Sequence, residues 1–174
     1  VTAHQQNGTF GYEEVAYLLL LGKLPTRAQL QRFNDVMAQA RRMPAAFTED
    51  MILKAPSSNI MNKLARSALV LYSYDDNPEE QSLTNILSQS IALIASLPTI
   101  ARFPLIAANA FAAKRHYFDG KSLILHNPEP ELSVAENILR MIRPDKAYTP
   151  EESHLLDLML ILHAEHSSNN STFV

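Results

Sequence analysis

The chain of 174 residues is 47% hydrophobic and 19% charged, with a formal net charge of −3 at pH 7 and no cysteine. At this length a chain buries about two-thirds of its unfolded surface, so one domain with a sizeable core is expected. The slightly acidic balance excludes a broadly basic nucleic-acid-binding surface, and the lack of cysteine excludes disulfides, which favours a cytoplasmic protein.

Helical signals begin near the N-terminal end. The dense apolar run from Tyr12 to Leu21 predicts a helix that stops at Gly22, because glycine suits the left-handed position after a helix. Thr26 and Gln29 have the spacing of a capping box, which predicts the start of a second helix. Two further helical segments follow. Residues 48–54 give a weaker signal. The segment 60–72 carries a stripe at close to the helical period, formed by Ile60, Met61, Leu64, Ala65, Ala68, Leu69, Leu71 and Tyr72.

A long helical segment is expected from Ser82 towards Arg115, ending at Gly120. Pro98 and Pro104 interrupt it. Each proline lacks a backbone donor and clashes with the preceding turn, so we expect either a kinked helix or two helices in tandem.

The last part of the chain predicts an irregular connection and two more helices. Residues 122–130 are expected to begin with a short extended piece and to continue irregularly. Capping boxes at 133–136 and 149–152 predict the starts of the two helices. Every residue from 155 to 162 except Asp157 is apolar, so we expect the final helix to be buried nearly all round.

These signals predict an all-α, multi-helical protein of one domain. No apolar run approaches the roughly 20 residues that span a bilayer, so no membrane partner is expected. The chain begins without Met and stops at Val174, and we expect it to be part of a longer protein.

The most informative segment is 162–173, where two histidines and a polar run follow the apolar helix. His163 and His166 are three residues apart and lie on one helical face, and Asn169 follows them. Imidazole and amide donors can hold a carboxylate or stabilise charge on a carbonyl oxygen. The alternative is that these groups satisfy the carbonyls of a helix end. A metal site is disfavoured, because two histidines fall short of the three protein ligands of a catalytic zinc.

The run His163-Ala164-Glu165-His166, followed after two residues by Asn169-Asn170-Ser171-Thr172, is similar to the first signature of citrate synthases. The segment from Phe10 to Thr26 resembles the early part of the same family. Three segments between them also resemble its bacterial members, namely 97–101, 114–118 and 137–144. On these residues the chain is identified as a member of the citrate synthase family, along essentially its whole length.

The resemblance implies an all-helical homodimer of the tricarboxylic acid cycle, an acyltransferase that condenses acetyl-CoA with oxaloacetate to citrate and CoA. Residues 1–174 would be the N-terminal part of the large domain, with the small domain and the C-terminal part outside the chain. It also implies that His166 binds oxaloacetate, with His163 and Asn169 as neighbours. No catalytic residue, metal or cofactor is expected in the chain, and acetyl-CoA enters as a substrate.

The chain departs from the family pattern at two positions. Ser167 stands where an acidic residue or glycine is usual, and Asn170 stands where a small residue is usual, so the motif role is assigned to Asn169. Two other functions stay open: a 2-methylcitrate synthase that uses propionyl-CoA, and a helical interaction fragment without activity. A fragment alone is expected to be inactive.

Overall fold

The computed structural model describes residues 10–71, 73 and 97–164. Within these ranges the secondary structure is entirely helical and contains no strand, which confirms the all-α prediction. The order is α1 (Tyr12–Leu21), α2 (Arg27–Ala40), a π-helix (Thr48–Leu53), α3 (Ile60–Leu71), α4 (Leu97–Tyr117), α5 (Val134–Ile142) and α6 (Pro150–Ala164).

Helix α4 is the central element, since it contacts α2, the π-helix, α3 and α5. Its alanines allow close packing, and Ala110 and Ala113 join Phe47, Ile52 and Ile106 in one buried cluster. A second cluster lies between α1 and α2 and consists of Ala16, Tyr17, Phe33 and Met37. Helix α6 packs against α1 and α5. No helix in the described ranges is long and apolar enough to cross a membrane.

The helix boundaries follow the local signals. Gly22 has the left-handed φ of 70° and its N–H donates to the Leu18 carbonyl, as expected for the end of α1. Reciprocal capping bonds join Thr26 with Gln29 at the start of α2. The capping boxes at 133–136 and 149–152 begin α5 and α6 as predicted.

Helix α4 continues through one of the two prolines at which an interruption was expected. From Leu97 to Tyr117 it is a single helix with Pro104 inside it, and Pro98 is its second residue. Whether the whole segment from Ser82 is one kinked helix or two helices in tandem stays a prediction, because residues 82–96 lie outside the described ranges. Packing on four neighbouring elements compensates for the backbone bond that the proline removes. The predicted start at Ser82 lies outside the described residues. Residues 122–126 form no strand, and the connection through 130 is irregular.

The prediction that α6 is buried nearly all round is wrong. Leu155, Met159 and Leu162 are 60%, 48% and 67% exposed, whereas the buried side chains of this helix are those of Ser153 and Asp157. The physical reason is that α1 and α5 cover only one side of α6, and Asp157 lies on that side because it bonds to the start of α1.

The apolar stripe of α3 is likewise divided between the inside and the surface. Met61 and Leu69 are exposed, while Lys63 and Ser67 are fully buried. The Lys63 ammonium donates to the Ala55 carbonyl at 2.6 Å, just beyond the π-helix, and this bond holds the lysine inside. Burial lowers the pKa of Lys63 below its ordinary value.

Candidate functional site

The polar motif of the sequence begins at the C-terminal end of α6. The start of that helix is held by hydrogen bonds of Glu152. Glu152 receives two hydrogen bonds from the Arg143 guanidinium, at 2.7 and 2.8 Å. It also accepts from the Thr149 N–H, closing the capping box. Arg143 immediately follows α5, so this ion pair joins the end of one helix to the beginning of the next.

His163 is the one predicted site residue that the described ranges include. It lies exposed in the last turn of α6, and its Nδ1 is 2.7 Å from the Met159 carbonyl. Because a carbonyl oxygen only accepts, Nδ1 carries the proton in this bond, and Nε2 is the ring's second nitrogen. His166 and Asn169 lie outside the described residues, so their proximity to His163 stays a prediction.

Two buried acidic side chains, Asp157 and Glu13, connect α6 with α1 and α1 with α5. The Asp157 carboxylate of α6 accepts from the N–H groups of Gly11 and Tyr12 at 2.9 and 3.1 Å, at the start of α1. The Glu13 carboxylate of α1 accepts from the Val134 N–H at 2.7 Å, at the start of α5. Each carboxylate therefore satisfies donors at the N-terminus of another helix, where negative charge is favoured.

The charges around Glu13 are partly removed from water. Burial raises the pKa of the Glu13 carboxyl and nearby Asp157 adds to this, while the Val134 N–H and Arg41 oppose it. Burial lowers the pKa of Arg41, whereas its attraction to Glu13 acts in the other direction. Arg41 also donates from Nη1 to the carbonyls of Glu129 and Leu132 at 3.2 Å.

This network was not among the features predicted from the sequence. One signal was available, because Asp157 is a single charged residue in an otherwise apolar run and a charge there needs a partner. Nothing in the sequence indicates that the partner is the start of α1, which lies 145 positions away in the chain.

Two clefts meet at Arg41. The first, of about 730 Å³, has four acidic residues in its lining, Glu13, Asp35, Glu131 and Glu136. We call it the acidic cleft. The second, of about 590 Å³, lies between the end of α2, the start of the π-helix, α4 and the 125–130 connection. We call it the basic cleft, because Arg41, Arg42 and His126 line it and no Asp or Glu of the described chain does.

Over residues 10–71, 73 and 97–164 no group of three or more His, Asp or Glu side chains is arranged to hold a metal ion. The chemistry available at the described end of α6 is hydrogen bonding by an imidazole. This chemistry suits an anionic or carbonyl-containing ligand.

Comparisons with known proteins agree with the helical architecture. The family model described as "Citrate synthase, C-terminal domain" matches residues 2–174. The chain is 32% identical over 171 residues to a citrate synthase of Corynebacterium glutamicum, covering 96% of this chain and 36% of that protein. It is 33% identical over 168 residues to the peroxisomal citrate synthase 1 of Arabidopsis thaliana, covering 92% of this chain and 34% of that protein.

A solved structure shares the fold. The crystal structure of citrate synthase from Pyrobaculum aerophilum is similar with a TM-score of 0.76 and 30% sequence identity, covering 93% of this chain and 39% of that chain. The fold is therefore the all-α architecture of that enzyme class. The chain belongs to the citrate synthase family. It spans roughly a third of the length of the two curated relatives, 36% and 34%. Its assignment to the first part of the large domain stays a prediction.

Proposed function

We propose that the chain is the part of a citrate synthase that contributes oxaloacetate-binding residues, in an enzyme that condenses acetyl-CoA with oxaloacetate to give citrate and CoA. The observation that carries the proposal is the family match through residue 174, because it includes the whole terminal motif. The hydrogen bonds of Glu152 and Asp157 add support, because they fix the position of the helix that precedes this motif.

The roles within the site follow from hydrogen-bonding chemistry. His166 would donate to oxaloacetate, and Asn169 would supply an amide donor beside it. His163 would hold its ring through the Met159 carbonyl, with Nε2 available as a second group. Donors placed where charge develops on a carbonyl oxygen lower the barrier of the reaction. The groups that remove the proton from acetyl-CoA and stabilise the enol would come from the remaining length of the enzyme.

The proposed enzyme is a cytoplasmic homodimer. The exposed apolar face of α6 supports self-association, because Leu155, Met159 and Leu162 recur on one side of the helix. A protein consisting of these 174 residues alone is expected to release no CoA from acetyl-CoA and oxaloacetate.

Steady-state kinetics of His166→Ala in the full-length enzyme test the proposal. If His166 binds oxaloacetate, KM for oxaloacetate rises or kcat falls, by roughly 10²-fold if the ring acts on transition-state charge. If it only satisfies a helix end, stability falls by about 1 kcal/mol and activity per folded molecule is unchanged. Unchanged kcat and KM would remove His166 from the site. Parallel assays of the unsubstituted enzyme with propionyl-CoA distinguish a 2-methylcitrate synthase, and no turnover with either thioester leaves the non-catalytic alternative.

A further inference from the structure

The basic cleft has the composition of a binding site, although none of its lining residues comes from α6. Its positive groups are Arg41 and Arg42 at the end of α2, and His126 lies opposite in the 125–130 connection. We propose that the basic cleft binds a small organic anion, through a carboxylate or phosphate group, in addition to the oxaloacetate proposed for the residues that follow α6.

Arg41 lines both clefts, so its charge reaches the basic cleft, where no carboxylate of the described chain lines the wall. Its side chain is 7% exposed, and its hydrogen bonds within the described residues both run from Nη1, to the carbonyls of Glu129 and Leu132. Carbonyl oxygens orient the guanidinium but do not neutralise it. The acidic neighbour Glu13 lines only the acidic cleft, which Arg41 also lines. A guanidinium partly removed from water and facing an acid-free cleft favours an anion there.

Arg42 is the second source of positive charge in the basic cleft. It is exposed, and its guanidinium has no partner among the residues that the structure describes. Its carbonyl oxygen is used structurally, since the Arg102 side chain donates to it at 2.9 Å. The backbone of Arg42 is therefore held in place while its charge is available to a ligand.

A buried amide adds polar capacity to the cleft. Asn109 is 5% exposed, and its described hydrogen bond is a long one, from Nδ2 to the Thr48 hydroxyl at 3.5 Å. A buried amide usually makes several shorter bonds. Asn109 thus has donor and acceptor capacity that a ligand in the cleft can satisfy. His126 is fixed nearby by a bond between Nε2 and the Pro144 carbonyl at 3.1 Å.

The dimensions and the remaining lining define the rest of the ligand. A volume of about 590 Å³ falls within the range of roughly 300–1,000 Å³ that is usual for small-molecule sites. Thr48 and Asn127 add two more polar groups, and the rest of the lining is apolar: Ala38, Met43, Leu105, Leu125, Pro128 and Pro130. The ligand that fits has an anionic end beside the arginines and an apolar or planar body.

Isothermal titration calorimetry of the purified protein tests the proposal with three probes. AMP carries a phosphate and a planar body, succinate carries carboxylates, and adenosine is the uncharged control. We expect AMP or succinate to bind with a Kd below about 1 mM. Adenosine should bind at least about tenfold more weakly, because it lacks the charge-assisted hydrogen bond that the anion makes with an arginine. Binding of AMP alone identifies a phosphate ligand, and binding of succinate alone identifies a carboxylate ligand.

Two matched arginine variants locate the site. Arg42→Gln, just beyond the end of α2, should weaken binding by about tenfold or more, whereas Arg32→Gln, an exposed arginine within α2 and outside the cleft, should leave it unchanged. Equal effects of the two substitutions, or no binding of either anion at about 10 mM, overturn the proposal. Loss of binding in His166→Ala with retention in Arg42→Gln also overturns it, since the anion then lies at the oxaloacetate site, and that result leaves the proposed function intact.

Discussion

The bond between α6 and the start of α1 can be tested by replacing Asp157 with asparagine. The carboxylate of Asp157 accepts from two backbone N–H groups, those of Gly11 and Tyr12, and it is 5% exposed. Asparagine has nearly the same shape but only one acceptor oxygen. Its NH₂ group must face one of these N–H donors, so one buried donor loses its partner.

The magnitude follows from the two effects of this change. Losing a hydrogen bond to a charged group costs about 1.5–3 kcal/mol. The substitution also removes a negative charge near Glu13, whose pKa is raised by burial and further by Asp157, so part of the loss is offset. We therefore expect the free energy of unfolding to fall by about 2 kcal/mol in Asp157→Asn.

Urea unfolding followed by circular dichroism measures this difference. Asp119→Asn is the matched control, because Asp119 is exposed beyond the end of α4 and should change stability by no more than about 0.5 kcal/mol. Hydrogen exchange of the Gly11 and Tyr12 amides should accelerate in Asp157→Asn but not in the control. Equal stabilities of the two variants, with unchanged exchange at these amides, would refute the assigned role of Asp157.

Two further predictions concern acid stability and association. Hydrogen bonding to Arg143 lowers the pKa of Glu152 from 4.5 to about 2, so the ion pair stabilises the fold above pH 4.5 and this stabilisation is lost as the pH falls toward 2. In Arg143→Met the fall in Tm between pH 4.5 and pH 2 should therefore be smaller than in the unsubstituted protein. The same fall in Tm in both proteins would contradict this assignment. Replacing both Leu155 and Leu162 by glutamate should reduce self-association in light scattering, whereas Val36→Glu, exposed on α2, should not. A monomeric unsubstituted protein would rule out the proposed homodimer.

Helix starts could be predicted from the sequence because their signals are local. Thr26 and Gln29 lie within one turn, and the hydrogen bonds that they exchange depend on little else. The same holds for Ser133 and Glu136 at the start of α5. The path of the chain through Pro104 was harder to predict, because tertiary packing on α4 decides whether a proline ends a helix.

The buried face of a helix could not be predicted reliably, since it depends on the partner helix. Periodicity favoured an apolar interior for α6, yet the described structure buries Asp157 and exposes Leu155. In α3 it buries Lys63 rather than Met61, because the Ala55 carbonyl accepts the ammonium. In both helices a specific hydrogen bond to a distant or neighbouring backbone group decides the orientation, and hydrophobicity alone does not encode that bond.

The polar anchors of α6 also bear on the proposed site at its other end. Asp157 and His163 are six residues apart, which corresponds to about 9 Å along a helix. A helix is stiff over that distance, so its attachment at Asp157 and at Glu152 determines where His163 lies. Glu13 links the same α1 to the start of α5, and Arg143 links the end of α5 to Glu152. Helices α1, α5 and α6 thus form a closed set of polar connections, and we expect that loosening one of them would displace the end of α6, which precedes the proposed oxaloacetate-binding residues.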